Sequence, residues 1–142
     1  MASIKLLCEA GEWIDKPITS IQTTSLGWIR KKLLLRGSII KGEDARKGPE
    51  IYWFGIYCPT IIGYVRGIIY KVAITVTAIR GSPYGFFEFV SDEISDTLDI
   101  KPTDSQNGIM IWDAEDGNVV LQEIFNDSLP TVMIFITSNT IP

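Results

Sequence analysis

The segment from Gly67 to Ile79 is the strongest constraint on how this chain can fold. Ile68, Tyr70, Val72, Ile74, Val76 and Ala78 alternate along it with Ile69, Lys71, Ala73, Thr75 and Thr77. Successive side chains of a strand point to opposite faces of its sheet, and β-branched residues suit such a surface. The alternation therefore predicts a long strand with one apolar face and one face rich in Thr and Lys, typical of an antiparallel sheet.

Shorter apolar segments predict further strands around this one. They cover residues 2–8, 51–57, 60–65, 85–90, 109–113, 118–124 and 132–137. The sequence Glu115-Asp116-Gly117 between two of them is a hairpin turn signal. The charged segment 41–50, which contains Gly and Pro, is predicted to be a loop.

Two segments have helical features. Pro17 suits a first helical turn, Thr19 and Gln22 have the spacing of a capping box, and Gly37 is a stop signal, so a helix is predicted over about 17–36. A short acidic helix is predicted over about 91–99. Ser91 is its predicted cap, and Ile94 and Leu98 lie four residues apart on one face.

These elements predict an α+β fold with a mostly antiparallel sheet, one longer helix (about 17–36) and one short helix (about 91–99). The 142 residues have the usual length of one domain, and 46% of them are hydrophobic. We therefore expect a single α+β domain over residues 1–142.

The chain contains no histidine. Most general acid–base triads and most catalytic zinc sites use an imidazole, and none of these can be built here. Phosphate-binding loops and the GxSxG elbow are also absent from the sequence. We therefore expect no enzyme activity, no cofactor and no metal, although chemistry by carboxylates or lysine remains a less favoured alternative.

The two cysteines, Cys8 and Cys58, give no disulfide framework. They are expected to be buried reduced thiols, and could pair only if their strands meet. The N-terminus shows no secretory signal, and no uncharged segment has the length of about 20 residues that a bilayer requires. The expected location is intracellular.

Charge is distributed unevenly along the chain. The first 80 residues contain 12 Lys or Arg and 6 acids, whereas the last 62 contain one Lys and 11 acids. Most of the positive excess lies in residues 30–47, where Trp28 and Leu33 to Leu35 add apolar bulk. Its cations are Arg30, Lys31, Lys32, Arg36, Lys41, Arg46 and Lys47. Such a cluster suits an anionic membrane or a phosphate backbone, and an ordinary solvated surface is the alternative.

The acids of the C-terminal part are spread over the predicted short helix, a loop and a hairpin. The candidate partner-binding residues among them are Asp92, Glu93, Asp96, Asp113, Glu115 and Asp116. The sequence from Asp113 to Gly117 has the composition of a calcium loop, but the closing Glu is missing, because Ile124 stands at the twelfth position. The acids therefore indicate a surface for a basic partner instead of a metal site.

The order of elements resembles the matrix proteins of rhabdoviruses and related negative-strand RNA viruses. The segments that carry the resemblance are SIKLLC (3–8), SLGWIRKKLLL (25–35), GIIYKVAITVTAI (67–79), SDEISDTL (91–98) and GIMIWDAEDGNVVLQEI (108–124). The chain departs from these proteins in being acidic overall and in lacking PPxY and P[ST]AP motifs. The resemblance implies a virion protein that self-associates under a host membrane and contacts a nucleoprotein or RNA.

Two functions from different classes follow. The first is a non-enzymatic, self-associating structural protein that binds an anionic membrane or a nucleoprotein through the basic segment. The second is a small acidic inhibitor or immunity-type protein that binds a basic protein partner through its C-terminal acids.

Overall fold

An antiparallel sheet dominates the part of the chain that the structure describes. The computed structural model describes residues 2–34, 40–78, 85–124 and 129–140, with the backbone alone for residues 32–34. The helices in this part of the chain are α1 (Trp28–Leu34) and α2 (Phe86–Leu98). Its strands are β1 (Glu43–Lys47), β2 (Ile51–Trp53), β3 (Ile56–Cys58), β4 (Thr60–Val65), β5 (Ile68–Thr77), β6 (Asp104–Gln106), β7 (Ile109–Asp113), β8 (Gly117–Ile124) and β9 (Thr131–Ser138). Seven of these described strands form the main sheet, in the order β1-β4-β5-β9-β8-β7-β6.

The predicted fold class is confirmed: an α+β fold with a mostly antiparallel sheet. β2 and β3 form a separate two-stranded hairpin. Its turn residues Phe54 and Gly55 have φ values of 55° and 77°. Positive φ at both central residues is the requirement of a tight hairpin turn whose twist matches that of its strands.

β5 lies inside the sheet, between β4 and β9. Its pairing with β4 shifts between Gly63 and Tyr64, so that Gly63 faces Lys71 and Tyr64 faces Ile69. Tyr70 is thus the extra residue of a β-bulge. The bulge changes the predicted alternation. The sequence pattern placed Tyr70 on the same face as Val72, but in the structure Ile69 and not Tyr70 joins Val72 in the main core.

One face of the sheet carries the main core. α2 contributes Val90, Ile94 and Leu98, which are four residues apart and buried. Beneath it Trp112 of β7 is fully buried, and its indole N–H donates a hydrogen bond of 2.9 Å to the hydroxyl of Ser95. The core therefore fixes α2 over the β7 side of the sheet.

The N-terminal residues 2–8 do not form the predicted strand. Two 3₁₀ turns, Ile4–Leu6 and Glu9–Trp13, occupy this part of the chain. Ile4, Leu7, Ala10 and Trp13 are three residues apart and are all buried. A spacing of three is the period of a 3₁₀ helix, so these turns cover the sheet with one apolar edge.

The longer predicted helix, 17–36, is also wrong at its start. Ile18–Ser20 forms a 3₁₀ turn, Thr24 pairs with Lys47 as an isolated β-bridge, and the helix begins only at Trp28. The predicted loop 41–50 contains β1, which pairs with β4. Tertiary pairing of two polar segments therefore replaces the local helical tendency.

The remaining differences concern aromatic segments. The predicted strand 85–90 forms the first part of α2. This helix begins five residues earlier than expected, and α2 is therefore the longer described helix. The predicted buried strand 51–57 is the hairpin of β2 and β3, with Tyr52 and Tyr57 exposed. The hairpin of β7 and β8 and the strands β4, β5 and β9 agree with the sequence pattern.

Candidate functional site

The sheet order places the two charged regions at opposite edges. The basic end is formed by α1, Lys41 and β1 (residues 28–34 and 41–47), and the acidic end by residues 86–124, which include α2, β6, β7 and β8. β1 and β6 are the two edge strands of the sheet. With a spacing of about 4.8 Å between neighbouring strands, these edges lie on the order of 29 Å apart.

Part of the basic end forms a local network around Asp44. The ammonium of Lys31 lies 2.8 Å from this carboxylate, the Tyr64 hydroxyl donates to it at 3.2 Å, and the Ala45 N–H donates to it at 2.8 Å. Burial by itself raises the pKa of Asp44, but these three partners outweigh burial and hold the pKa below its ordinary value. Lys31 therefore pairs with an acid of its own chain and is also part of the charge of the basic end.

The other cations of the basic end differ in their surroundings. Arg46 donates from Nε to the hydroxyl of Thr23 at 2.6 Å, which ties β1 to the segment before α1. Arg30, Lys41 and Lys47 are exposed. The side chain of Lys32 and the whole of Arg36 lie outside the described residues.

A second polar group lies next to this network. The hydroxyl of Tyr70, which is buried, donates a hydrogen bond to the carboxylate of Glu43. Burial lowers the pKa of the neighbouring Lys71, although the charge of Glu43 acts in the opposite direction. Burial and the charge of Asp44 raise the pKa of Tyr64. The Tyr64 phenol therefore stays protonated and serves as a donor to Asp44, and the Tyr70 hydroxyl is a donor to Glu43.

The start of α1 combines cations with exposed apolar side chains. Trp28 is 69% exposed and Ile29 is 63% exposed, and Arg30 follows them directly. Leu26, two residues earlier, is buried against Ala45 and Ala73 on the second face of the sheet. Leu26 thus anchors the segment from which Trp28 and Ile29 project. The sequence predicted Trp28 as an apolar neighbour of the cations, but the pattern of residues did not predict that its side chain is exposed.

The acids of the acidic end fall into two kinds. Asp92, Glu93 and Asp96 are exposed on α2, and Glu115 is exposed in the turn between β7 and β8. Asp113 accepts a hydrogen bond from Thr103 at 2.9 Å but also remains exposed. These five residues are available to a partner.

Asp116 has a structural role. Its carboxylate accepts from the Ser3 hydroxyl at 2.6 Å and from the Ile4 N–H at 2.9 Å, and so ties the N-terminus to the hairpin turn. Burial raises its pKa, but the hydrogen bonds and the charge of Lys5 outweigh burial, and the pKa lies below its ordinary value. Of the six predicted acidic site residues, Asp116 is thus the one whose carboxylate is bonded to the N-terminal residues of the same chain.

Ion pairs within the described residues join near neighbours in the fold and leave the two ends separate. They are Lys31–Asp44 and Lys5–Asp15, the latter at 3.1 Å. Neither links the basic end to the acidic end. The charge asymmetry of the sequence therefore persists as an asymmetry of the folded surface.

Both cysteines are free thiols, as predicted. Cys58 is buried and Cys8 is partly buried, and burial raises the pKa of each to about 11. At pH 7 such thiols are almost entirely protonated, so they are poor nucleophiles. Among the described residues no group of three or more Cys, Asp or Glu side chains is placed to hold a metal ion.

A cavity of about 240 Å³ lies at the acidic end, between the N-terminus and the end of α2. Its walls include Ala2, Ser3, Leu6, Thr97, Asp99 and Ile100. Sequence reasoning placed residues 2–8 in a strand and therefore had no signal for this cavity. It is smaller than the about 300–1,000 Å³ of typical small-molecule sites.

The chain was compared with protein-family models, with curated proteins and with solved structures, and none of these comparisons gave a match. In the described part of the chain, no helix is both long enough and apolar enough to cross a membrane.

Proposed function

We propose that this protein is a non-enzymatic structural protein that self-associates head to tail, with the basic end of one copy against the acidic end of the next. The observation that carries the proposal is the placement of the two ends on opposite edges of one sheet, without ion pairs between them among the described residues. A molecule charged in this way attracts further copies in one orientation.

A head-to-tail contact uses two different surfaces and leaves one of each free after every addition. It therefore builds rings when the rotation closes and filaments when it does not. This is the behaviour that the resemblance to viral matrix proteins implies. The present proposal is supported by the charge geometry of the sheet, since the resemblance concerns element order alone.

Sedimentation velocity over a range of protein concentrations tests the proposal. Assembly is expected at low salt and weaker assembly at about 0.5 M salt, where the screening length falls to only a few ångströms. The double variant Arg30→Glu, Lys47→Glu is expected to be monomeric, and adding Asp92→Lys and Glu93→Lys to the same chain is expected to restore assembly. Lys16→Glu is a control, because Lys16 is exposed and lies outside both ends.

A wild-type monomer at every concentration and salt would refute self-association. That result would favour the second class of function, a small acidic inhibitor or immunity-type protein. Its supporting observation is α2, on which Asp92, Glu93 and Asp96 are exposed and whose last turn contains no basic residue. Its expected signature is a stable 1:1 complex with a basic protein.

One observation favours a further role for the basic end. Trp28 and Ile29 project next to Arg30, and apolar side chains beside cations suit an anionic membrane surface, where each cation contributes about 1 kcal/mol. Co-sedimentation with vesicles that contain phosphatidylserine is expected to be stronger than with phosphatidylcholine alone. Equal recovery on both vesicles would remove this role and leave self-association standing.

A further inference from the structure

The face of the sheet opposite the main core carries one row of side chains that crosses every described strand of the main sheet. Its members are directly opposite each other on neighbouring strands, so they lie on the same face. From the β1 edge to the β6 edge the row consists of Lys47, Ile61, Ala73, Phe135, Val120, Ile111 and Asp104. The row is therefore apolar at all its inner positions, with a cation at one edge and a carboxylate at the other.

The chain itself covers this face on the β1 side. Leu26, from the segment before α1, is buried against Ala45 and Ala73. α1 follows, and its Lys31 pairs with Asp44 of the edge strand β1 at 2.8 Å. On this side the cover is thus a basic segment that supplies an apolar side chain to the sheet and a cation to a carboxylate of the edge strand.

The β6 side of the same face lacks such a cover among the described residues. Val120 and Ile111 are half-buried and belong to neither of the two apolar clusters. Ile109, two residues before Ile111 on the same face, is 38% exposed. Ile109, Ile111 and Val120 form an apolar strip on β7 and β8. From β9 to β6 the distance is about 14 Å, which is room for one α-helix of about 10–12 Å in diameter.

The surroundings of the apolar strip are acidic. Asp104 of β6 lies opposite Ile111, Asp113 follows Ile111 by two residues on the same face, and both carboxylates are exposed. The sequences of β6, β7 and β8 contain no Lys or Arg. A two-fold contact between the strips of two copies would bring these carboxylates together, and like charges disfavour such a contact. The strip therefore suits apolar side chains that are flanked by cations.

We infer that the apolar strip is the docking surface for an amphipathic basic helix of a partner protein. The apolar side of that helix covers Ile109, Ile111 and Val120, and its Lys or Arg side chains pair with Asp104 and Asp113. Such a helix repeats on the β6 side what the chain's own basic segment does on the β1 side. The inference goes beyond the proposed self-association and does not depend on it, because it uses the face of the sheet and another protein.

The probe for this surface is a synthetic peptide of about 14 Leu and Lys residues, patterned as an amphipathic helix. Isothermal titration calorimetry with the full chain is expected to show binding of one peptide per chain. A peptide of the same composition in scrambled order is expected to bind about tenfold more weakly, since it has no apolar side. A peptide in which Glu replaces every Lys is expected not to bind.

Variants of the apolar strip test the apolar half of the contact. The double variant Ile109→Thr, Ile111→Thr keeps β-branched side chains and is expected to weaken peptide binding about tenfold or more. Ile29→Thr makes the same substitution at an exposed position of α1 and is expected to bind like the wild type. Circular dichroism shows whether the double variant is folded. If it is not, Ile109→Thr alone, at the more exposed position, provides the test.

Variants of the surrounding acids test the charged half. Asp104→Asn together with Asp113→Asn is expected to weaken binding about fivefold at low salt, and less at high salt. Asp92→Asn together with Asp96→Asn removes the same charge from exposed positions of α2 and is the matched control.

Each result either supports or overturns the inference. Failure of the wild type to bind the Leu–Lys peptide, full binding by the strip variants, or equal weakening by the α2 control refutes it. Loss of self-association in the strip variants alone also refutes it, because the occupant would then be a second copy. A wild-type monomer that binds the peptide removes the proposed function and leaves this inference standing, whereas assembly without peptide binding does the reverse.

Discussion

At the basic end of the sheet, several charges are held in place by neighbours, whereas at the acidic end most charges project freely. Lys31 and Arg46 are fixed by Asp44 and Thr23. By contrast, the acids of α2 have exposed side chains. Asp116, in the turn between β7 and β8, instead accepts a hydrogen bond from Ser3. The two ends therefore differ in more than sign: the basic end is an organised patch, and the acidic end is a broad field around a cavity.

The difference has an energetic side. Exposed charges contribute little to stability, and buried packing contributes much. The acidic end rests on Trp112 and the apolar face of α2. Among the described residues, the buried members of the second apolar cluster, beneath the basic end, are Leu26, Ala45 and Ala73. Substitutions of the buried residues at the acidic end should therefore mainly lower the stability of the fold, whereas substitutions of the exposed residues at the basic end should mainly weaken association.

The largest expected effect on stability comes from a comparison of two tryptophans. Trp112→Ala removes a fully buried ring and its hydrogen bond to Ser95, and is expected to lower the free energy of unfolding by about 3–5 kcal/mol. Trp28→Ala, at an exposed site, is expected to change it by less than about 0.5 kcal/mol. Urea denaturation measures both, and similar losses would show that the two ends do not differ as described.

Two glycines provide a second comparison. A Cβ atom at Gly117, at the start of β8, would collide with the backbone carbonyl of Thr137 and lie 2.6 Å from the Ile4 side chain. Gly117→Ala is expected to cost about 1–3 kcal/mol in thermal or urea unfolding. Gly27→Ala, just before α1, meets open space and is its control. Wild-type stability of Gly117→Ala would contradict the close packing of the N-terminus on this turn.

A third prediction separates the structural acid from the surface acids. Asp116→Asn weakens the two hydrogen bonds that tie the N-terminus to the hairpin turn, and is expected to cost about 1–2 kcal/mol. Asp92→Asn, on the exposed side of α2, is expected to stay within about 0.5 kcal/mol of the wild type. Hydrogen exchange of the Ile4 amide should increase in the first variant and not in the second.

The smallest effect is the dependence of stability on pH. The pKa values of Asp44 and Asp116 are lower in the folded protein than in the unfolded chain, so the unfolded state takes up more protons in acid. Their contribution is complete above the ordinary Asp pKa of about 3.9 and is lost as the pH falls further. Asp44→Asn and Asp116→Asn should each flatten this decline in urea titrations. An unchanged slope in both variants would contradict the assignment.

The sequence predicted those parts of the fold that depend on neighbouring residues along the chain. The alternation in β5 and the Asp116-Gly117 turn between β7 and β8 both follow from local geometry. The charged strand β1 was missed because its residues lack an apolar pattern, and Ala45 alone is buried in it. A short charged strand is typical of a sheet edge, where its partner β4 supplies the pairing.

The N-terminus was missed although it contained a usable signal. Ile4, Leu7, Ala10 and Trp13 are three residues apart, which is the 3₁₀ period. For the candidate site, the sequence supplied the residue types and the sign of the charges. The sequence could not distinguish Asp116, which is hydrogen-bonded to Ser3, from Asp92, which is exposed, since both are acids near an apolar strand or helix.

By itself, the sequence determined the antiparallel class of the sheet, the absence of imidazole chemistry and the division of charge between the two halves of the chain. These properties depend on composition and on short-range periodicity. The tertiary structure alone decided that the basic end and the acidic end lie at opposite edges of one sheet, that Trp28 is exposed and that a cavity lies beside α2. The reason is that strand order and side-chain exposure depend on contacts between residues far apart in the chain, which no local pattern encodes.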